Sequence, residues 1–288
     1  MVWIPMLENI PILIVKAFIA IVIASIVSAN ISVHMVLRGL SALGAALAHA
    51  ALAGATIAIT LGINPLIGAV ATSILFAILS GYSEERIGGR SDMSVGIIFG
   101  SSTAIAVLAI ALSSPYISSA WRFLVGDVLG ITDYELIELV SVSIIVIIVL
   151  ILFHGELKYT LFDPESSEAY GLNIKFYRYL ILILASLCTV VNLRVVGALL
   201  TELFIAAPAI IAYEFAHSFE KLRNQAISIT LISSITGFII AVVANLPVSG
   251  VIGVTMLSIY ILALLLSVKR RRCRSRICMR YIRWVFRG

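Results

Sequence analysis

Leu43-Gly44-Ala45-Ala46-Leu47-Ala48-His49-Ala50-Ala51-Leu52-Ala53-Gly54 sits inside a run that carries no formal charge from Gly39 to Ser83. Its side chains are small and apolar except for one imidazole. Uncharged stretches of this length are built to lie in hydrocarbon, where a spanning helix needs about 20 apolar residues. An imidazole at such depth faces protein, a cavity or a passing ligand rather than lipid. It is also a side chain that binds borderline transition metals at neutral pH. His49 is therefore either a transient metal ligand or a packing histidine bonded to a neighbouring carbonyl. Ala46, Ala50 and Gly54 recur at every fourth position, as do Gly44 and Ala48, so this helix is expected to pack closely on its neighbours.

Composition agrees with a membrane protein. Of 288 residues, 61% are hydrophobic and 12% charged, and mean hydropathy is +1.12, whereas soluble domains carry about 25% charged residues. Polar breaks divide the chain into about nine hydrophobic segments, or eight if two merge. They are roughly 11–37, 41–61, 64–80, 93–113, 136–154, 175–192, 195–213, 225–245 and 249–268. The expected fold is all-α and polytopic. Residues 1–268 form the transmembrane domain and residues 269–288 a basic cytosolic tail. Nine spans with the C-terminus inside place 17 basic residues within and leave Lys16, Arg122 and Arg194 without, so the chain is expected to run N-out, C-in. Residues 115–130 read as an outer loop or a short re-entrant helix, and 41–80 as two spans or one broken hairpin.

The tail holds nine Lys/Arg and no acid. Beside a hydrophobic helix this pattern suits anionic lipid headgroups better than nucleic acid. An amphipathic surface helix and a disordered tail remain alternatives. Cys273 and Cys278 lack the second ligand pair of a zinc site. The start of the chain lacks the pattern of a cleaved signal peptide, so the chain is expected to stay whole. Phosphate-binding, His-Glu-x-x-His and Gly-x-Ser-x-Gly motifs are absent, which points away from an enzyme and leaves any energy source to a partner or an ion gradient.

Two further segments carry function. Phe162-Asp163-Pro164-Glu165-Ser166-Ser167-Glu168-Ala169-Tyr170-Gly171-Leu172 places an N-cap at Asp163, proline at the first helical position and glycine after the end. It spells a short helix between spans, suited to contact with a cytosolic partner. Val195 to Ala209 holds Glu202, an intramembrane carboxylate that must be paired, protonated or ligating. Pro208 is expected to kink or interrupt that helix. His34, His154 and His217 read as polar residues at helix ends or in a solvated loop.

In this order, these segments resemble the permease subunits of ATP-binding-cassette importers for zinc, manganese and iron. The likeness covers about Val36 to Leu266. It rests on Leu37-Arg38 leading into Gly44…His49-Ala50-x-Leu52-x-Gly54, Asp92-x-x-Val95-Gly96-Ile97-Ile98-Phe99 and Gly126-Asp127-x-Leu129-Gly130. It continues through Phe162-Asp163-Pro164-Glu165…Gly171-Leu172, Val196-Gly197-x-Leu199-Leu200…Ala207-Pro208-Ala209 and Leu246-Pro247-x-Ser249-Gly250. The resemblance implies a homodimer around a shared path, two cytosolic ATPase subunits docking on residues 162–172, an outer metal-binding protein and a prokaryotic plasma membrane. It implies no permanent cofactor, only a transported ion. The family usually reads Gly-Asp-x-x-Ser-His-x-x-Leu-Pro-Gly, with Asp and His as ion ligands. Here Ala45 replaces Asp, Ala48 replaces Ser and Ala53 replaces Pro. Glu202 is the candidate for the missing carboxylate. One His and one carboxylate per subunit would give four ligands across a dimer, a number that suits zinc, while manganese favours oxygen-rich shells. An importer of iron–siderophore or cobalamin cargo, which would not need His49, and an ATP-independent secondary transporter are the competing readings.

Overall fold

The structure is a computed structural model that describes residues 4–87, 91–112 and 122–267. Ten bounded α-helices, a helical stretch at residues 122–125 and no strand occur among these residues: α1 Ile4–Leu37, α2 Leu43–Thr60, α3 Pro65–Arg86, α4 Ser91–Leu112, α5 Asp133–Leu152, α6 His154–Phe162, α7 Pro164–Ala169, α8 Ile174–Tyr213, α9 Phe219–Ala244 and α10 Val248–Leu266. The basic tail with Cys273 and Cys278, Arg90, and residues 113–121 lie outside the described residues.

Local chemistry sets the helix starts. Asn64 caps α3 ahead of Pro65, accepting from Leu66 N at 2.9 Å. Thr132 and Glu135 form a reciprocal capping box at α5, and Asn173 and Ser218 cap α8 and α9. Such side chains satisfy amide donors that lack an intrahelical partner. Capped ends are polar, so hydropathy misses them. α3 runs on to Arg86, and α9 starts at Phe219, well ahead of the apolar segment expected from residue 225. Residues 41–80 are two spans; of the segment 115–130, residues 122–125 are helical and Val128–Gly130 is a 3-10 turn, while residues 115–121 lie outside the described residues.

Eight described helices are long and apolar enough to cross a membrane. One of them, α8, spans 40 residues, about 60 Å at 1.5 Å per residue, or twice a hydrocarbon core. It doubles back. At its start Lys175 pairs with Glu85, and midway Ser186 Oγ donates to Ser73 O. At the far face Arg194 pairs with Glu138 and donates to Asn64. The descending limb then passes Gly44 at Ile205, Ser32 at Ala209 and Ser267 at Glu214. The described chain thus crosses the bundle nine times, and residues 12 and 267 lie at opposite faces.

The turn is made at Gly197, with φ 81° and ψ 167°. That backbone region is essentially reserved for glycine. A Cβ there would meet Gly126 N and, at 2.5 Å, Val125 C. Gly126 has φ 85° and presses on Val196 in return. The interruption expected at Pro208 is not found: helical dihedrals continue through it. Ser32 Oγ accepts from Ala209 N at 3.2 Å, the kind of neighbouring hydroxyl that lets membrane helices tolerate proline.

The centre of the bundle is α1, α2 and α8. Close approach of α2 to α3 depends on Gly54, where a Cβ would collide with Gly68 O and, at 2.7 Å, Gly68 C. Thr72 Oγ1 donates to Ala50 O across the same contact at 2.7 Å. Down α1, Ser25 donates to Ser234, Asn192 donates to Ser28 at 2.6 Å, and Ser32 holds Ala209. These polar links join helices whose apolar surfaces alone gain little from leaving lipid. α5 and α10 present exposed Ile144, Ile151, Leu262 and Leu265 to the surroundings.

A candidate ion site between α2, α4 and α8

Residues 43–60 form α2 with His49 one and a half turns from its start. Because α8 turns at Gly197, its descending limb carries Glu202 to the same height. His49 Nε2 lies 3.0 Å from Glu202 Oε1. The two atoms are in contact, yet Glu202 Oε1 has no hydrogen-bond partner in bonding alignment. Both side chains are mostly but not wholly enclosed, 15% and 24% exposed. Phe99 of α4 packs edge-on against the imidazole at 5.6 Å.

Ala45, one turn before His49, lines an open cavity of about 360 Å³ with Ala42, Val95, Gly96 and Phe99. A carboxylate at position 45 would project into that space. Glu202 lies across the helix interface against His49, and neither residue lines that cavity. Gly44 keeps the limb close, since a Cβ there would meet Ile205 Cγ2 at 2.7 Å. No cluster of three or more His, Cys, Asp or Glu occurs among the described residues. The pair brings together one imidazole nitrogen and one carboxylate oxygen.

The capped helix lies at the face where Arg38, Lys158, Lys175, Lys221 and Arg223 gather. Asp163 Oδ1 accepts from Ser166 N at 3.1 Å, Pro164 opens α7, and Gly171 follows it with φ 86°. Hydrogen bonds from Ser166 hold the Asp163 carboxyl below its ordinary range. Phe162 and Tyr170 flank the helix and are 59% and 88% exposed, and Glu165 is exposed beside them. Two aromatic rings thus stand exposed at this charged face.

The opposite face carries Lys16–Asp133, Arg122–Asp127 and the enclosed Arg194–Glu138 pair. Sequence reasoning passed over that third pair and over Phe99. It also treated His34 as an inexpensive helix-end residue, whereas His34 is 4% exposed beneath Phe219. Helix ends are wet only where no other element covers them, and that covering is tertiary.

A polytopic helical bundle with a hairpin at its centre, a His–carboxylate pair between helices and a capped helix at one face defines a membrane permease. The chain belongs to the ABC 3 transport family, whose model matches residues 11–267. It is 31% identical over 255 residues to the manganese transport system membrane protein MntC of Listeria monocytogenes, covering 88% of this chain and 91% of that one. It is 29% identical over 257 residues to the manganese import system permease protein ScaB of Streptococcus parasanguinis, covering 89% and 91%. The solved structure of PsaBC from Streptococcus pneumoniae in complex with Fab superimposes with a TM-score of 0.79 at 26% identity, covering 90% and 93%. The relatives are membrane permease subunits, and this multi-pass chain is of the same non-catalytic kind.

Proposed function

We propose that this chain is the permease of an ATP-driven importer of a divalent transition-metal ion, with manganese as the first-choice cargo and zinc as the second. The observation that carries the reading is the 3.0 Å approach of His49 Nε2 to Glu202 Oε1 between α2 and α8. Two donor atoms this close, one of them without a hydrogen-bond partner, suit a cation that is held briefly and passed on. The names of the curated relatives support manganese, and a carboxylate donor is compatible with it.

In this reading a second copy of the chain completes the path and supplies a second His–Glu pair. Cytosolic ATPase subunits dock on Phe162, Asp163, Pro164, Glu165 and Gly171, and an extracytoplasmic metal-binding protein delivers the ion to the Arg194 face. The α7 face is then cytosolic, giving N-out, C-in in a prokaryotic plasma membrane. The gathering of basic residues at that face supports this orientation. Alternating access moves the ion past His49. Glu202 contributes charge that offsets the ion's lost hydration, and Phe99 fixes the imidazole plane.

The test is ATP-dependent uptake of radiolabelled manganese and zinc by cells carrying the complete transporter, comparing wild type with His49→Ala at matched membrane abundance. Loss of uptake for one metal names the cargo. Undiminished uptake of both removes His49 from the path.

A further inference from the structure

At the α7 end of the bundle, α1, α5 and α9 enclose a second pocket of about 240 Å³ that the transport reading does not use. Its polar side is formed by Asn30, His34, His154 and Arg223, and its other wall by Ile147 and Ile151. The two imidazoles flank one phenyl ring, with Phe219 lying 5.4 Å from His34 and 5.6 Å from His154. His34 is 4% exposed, and its Nδ1 has no hydrogen-bond partner.

Charge selects the kind of ligand. Arg223 is the one lining residue with a permanent charge, none of the lining residues is acidic, and the Arg38 guanidinium also lies near His34. The nearby carboxylate of Glu220 is committed to Lys158. Two imidazoles alone would suit a transition metal, but the Arg223 guanidinium beside them repels a cation, and no carboxylate lines the pocket. Convergent N–H donors with positive charge suit a phosphate anion.

The apolar wall selects its source. Ile151 is 66% exposed, and Ile148 and Ile144 continue up α5 at 49% and 52%, a ridge that faces the bilayer. A free phosphate would leave that wall unused, whereas an acyl chain would cover it. Basic pockets between membrane helices are a recurring mode of headgroup capture. We infer that this pocket holds the phosphate of an anionic phospholipid in the leaflet at the α7 face, with its acyl chain along Ile144, Ile148 and Ile151. The lipid would tie α1, α5 and α9 together beside the helix that meets the ATPase.

The complete transporter, delipidated in detergent, is titrated with phosphatidylglycerol, phosphatidylcholine or inorganic phosphate, and bound lipid is read by native mass spectrometry and thermal shift. The expected result is retention of phosphatidylglycerol over phosphatidylcholine. Arg223→Gln and His154→Gln should each weaken it by about 10–100-fold, the loss expected for one charge-assisted hydrogen bond. Arg223→Lys should retain part of the affinity, and Lys221→Gln, exposed on the same helix, should leave it unchanged. Wild-type retention in Arg223→Gln, or equal retention of the two lipids, would overturn the proposal. Inorganic phosphate matching phosphatidylglycerol in the thermal shift would also overturn it, by assigning the site to a soluble anion.

Discussion

Gly197→Ala is expected to damage both stability and transport. The native φ and ψ of 81° and 167° lie in a region that costs a non-glycine residue about 1–3 kcal/mol. The added methyl would sit 2.5 Å from Val125 C, against an ordinary contact of about 3.5–4.0 Å. The neighbour is backbone and cannot rotate away, so the hairpin must separate from the Val125–Gly126 segment by about 1 Å. Overpacking of this kind costs about 1–3 kcal/mol. The two effects sum to about 2–6 kcal/mol, or roughly 3–10 °C in unfolding temperature for a chain of this size. The assay is thermal unfolding of purified protein in detergent, paired with ATP-dependent uptake at matched abundance. Uptake should fall further than stability explains, because Glu202 hangs from this turn. A melting temperature within about 1 °C of wild type, with normal uptake, would refute the geometry assigned to the turn.

Arg194→Met should destabilise by about 3–5 kcal/mol by stranding the enclosed Glu138 carboxylate. Arg194→Met with Glu138→Leu should recover most of that loss, read by the same melts. Gly54→Val, whose Cβ meets the Gly68 carbonyl, should push α2 from α3 and cost about 1–3 kcal/mol. Asp163→Ala should speed amide exchange over residues 164–169 and uncouple ATP hydrolysis from uptake, while Asp163→Asn, which still caps, should preserve coupling. The Asp163 carboxyl is depressed by its bonds to Ser166. The cap is therefore intact above the ordinary carboxylate range and lost as pH falls through the lowered value. The exchange rate of 164–169 should rise there in wild type and stay flat in Asp163→Asn.

Much of this architecture was legible in the chain. Apolar length located the spans, Arg194 marked the joint between residues 175–192 and 195–213, and Asp163-Pro164 spelled the capped helix. Those features are local, as capping and hydropathy are. The residue that turns the hairpin was not legible. Gly197 is needed because Gly126, far away in sequence, approaches its backbone. Pro208 drew the prediction of a break because local rules disfavour it, while a hydroxyl on α1 makes it tolerable. At the candidate site, the absence of a carboxylate at Ala45 and the presence of Glu202 suggested a pair. Their 3.0 Å approach depends on the height at which the hairpin turns. The burial of His34 is likewise tertiary, set by Phe219 folding over the end of α1.

The central claim is that Glu202 supplies to His49 the carboxylate that Ala45 lacks. Its most direct test is ATP-dependent manganese uptake into proteoliposomes by the complete transporter carrying Glu202→Gln, with and without Ala45→Asp. The account predicts a loss of about 10–100-fold in Glu202→Gln, the worth of one charge-assisted contact of about 1.5–3 kcal/mol. It also predicts an unchanged melting temperature and partial recovery on adding Ala45→Asp, which restores a carboxylate one helical turn before His49. Wild-type uptake by Glu202→Gln would contradict the claim and leave the His49–Glu202 contact as helix packing alone.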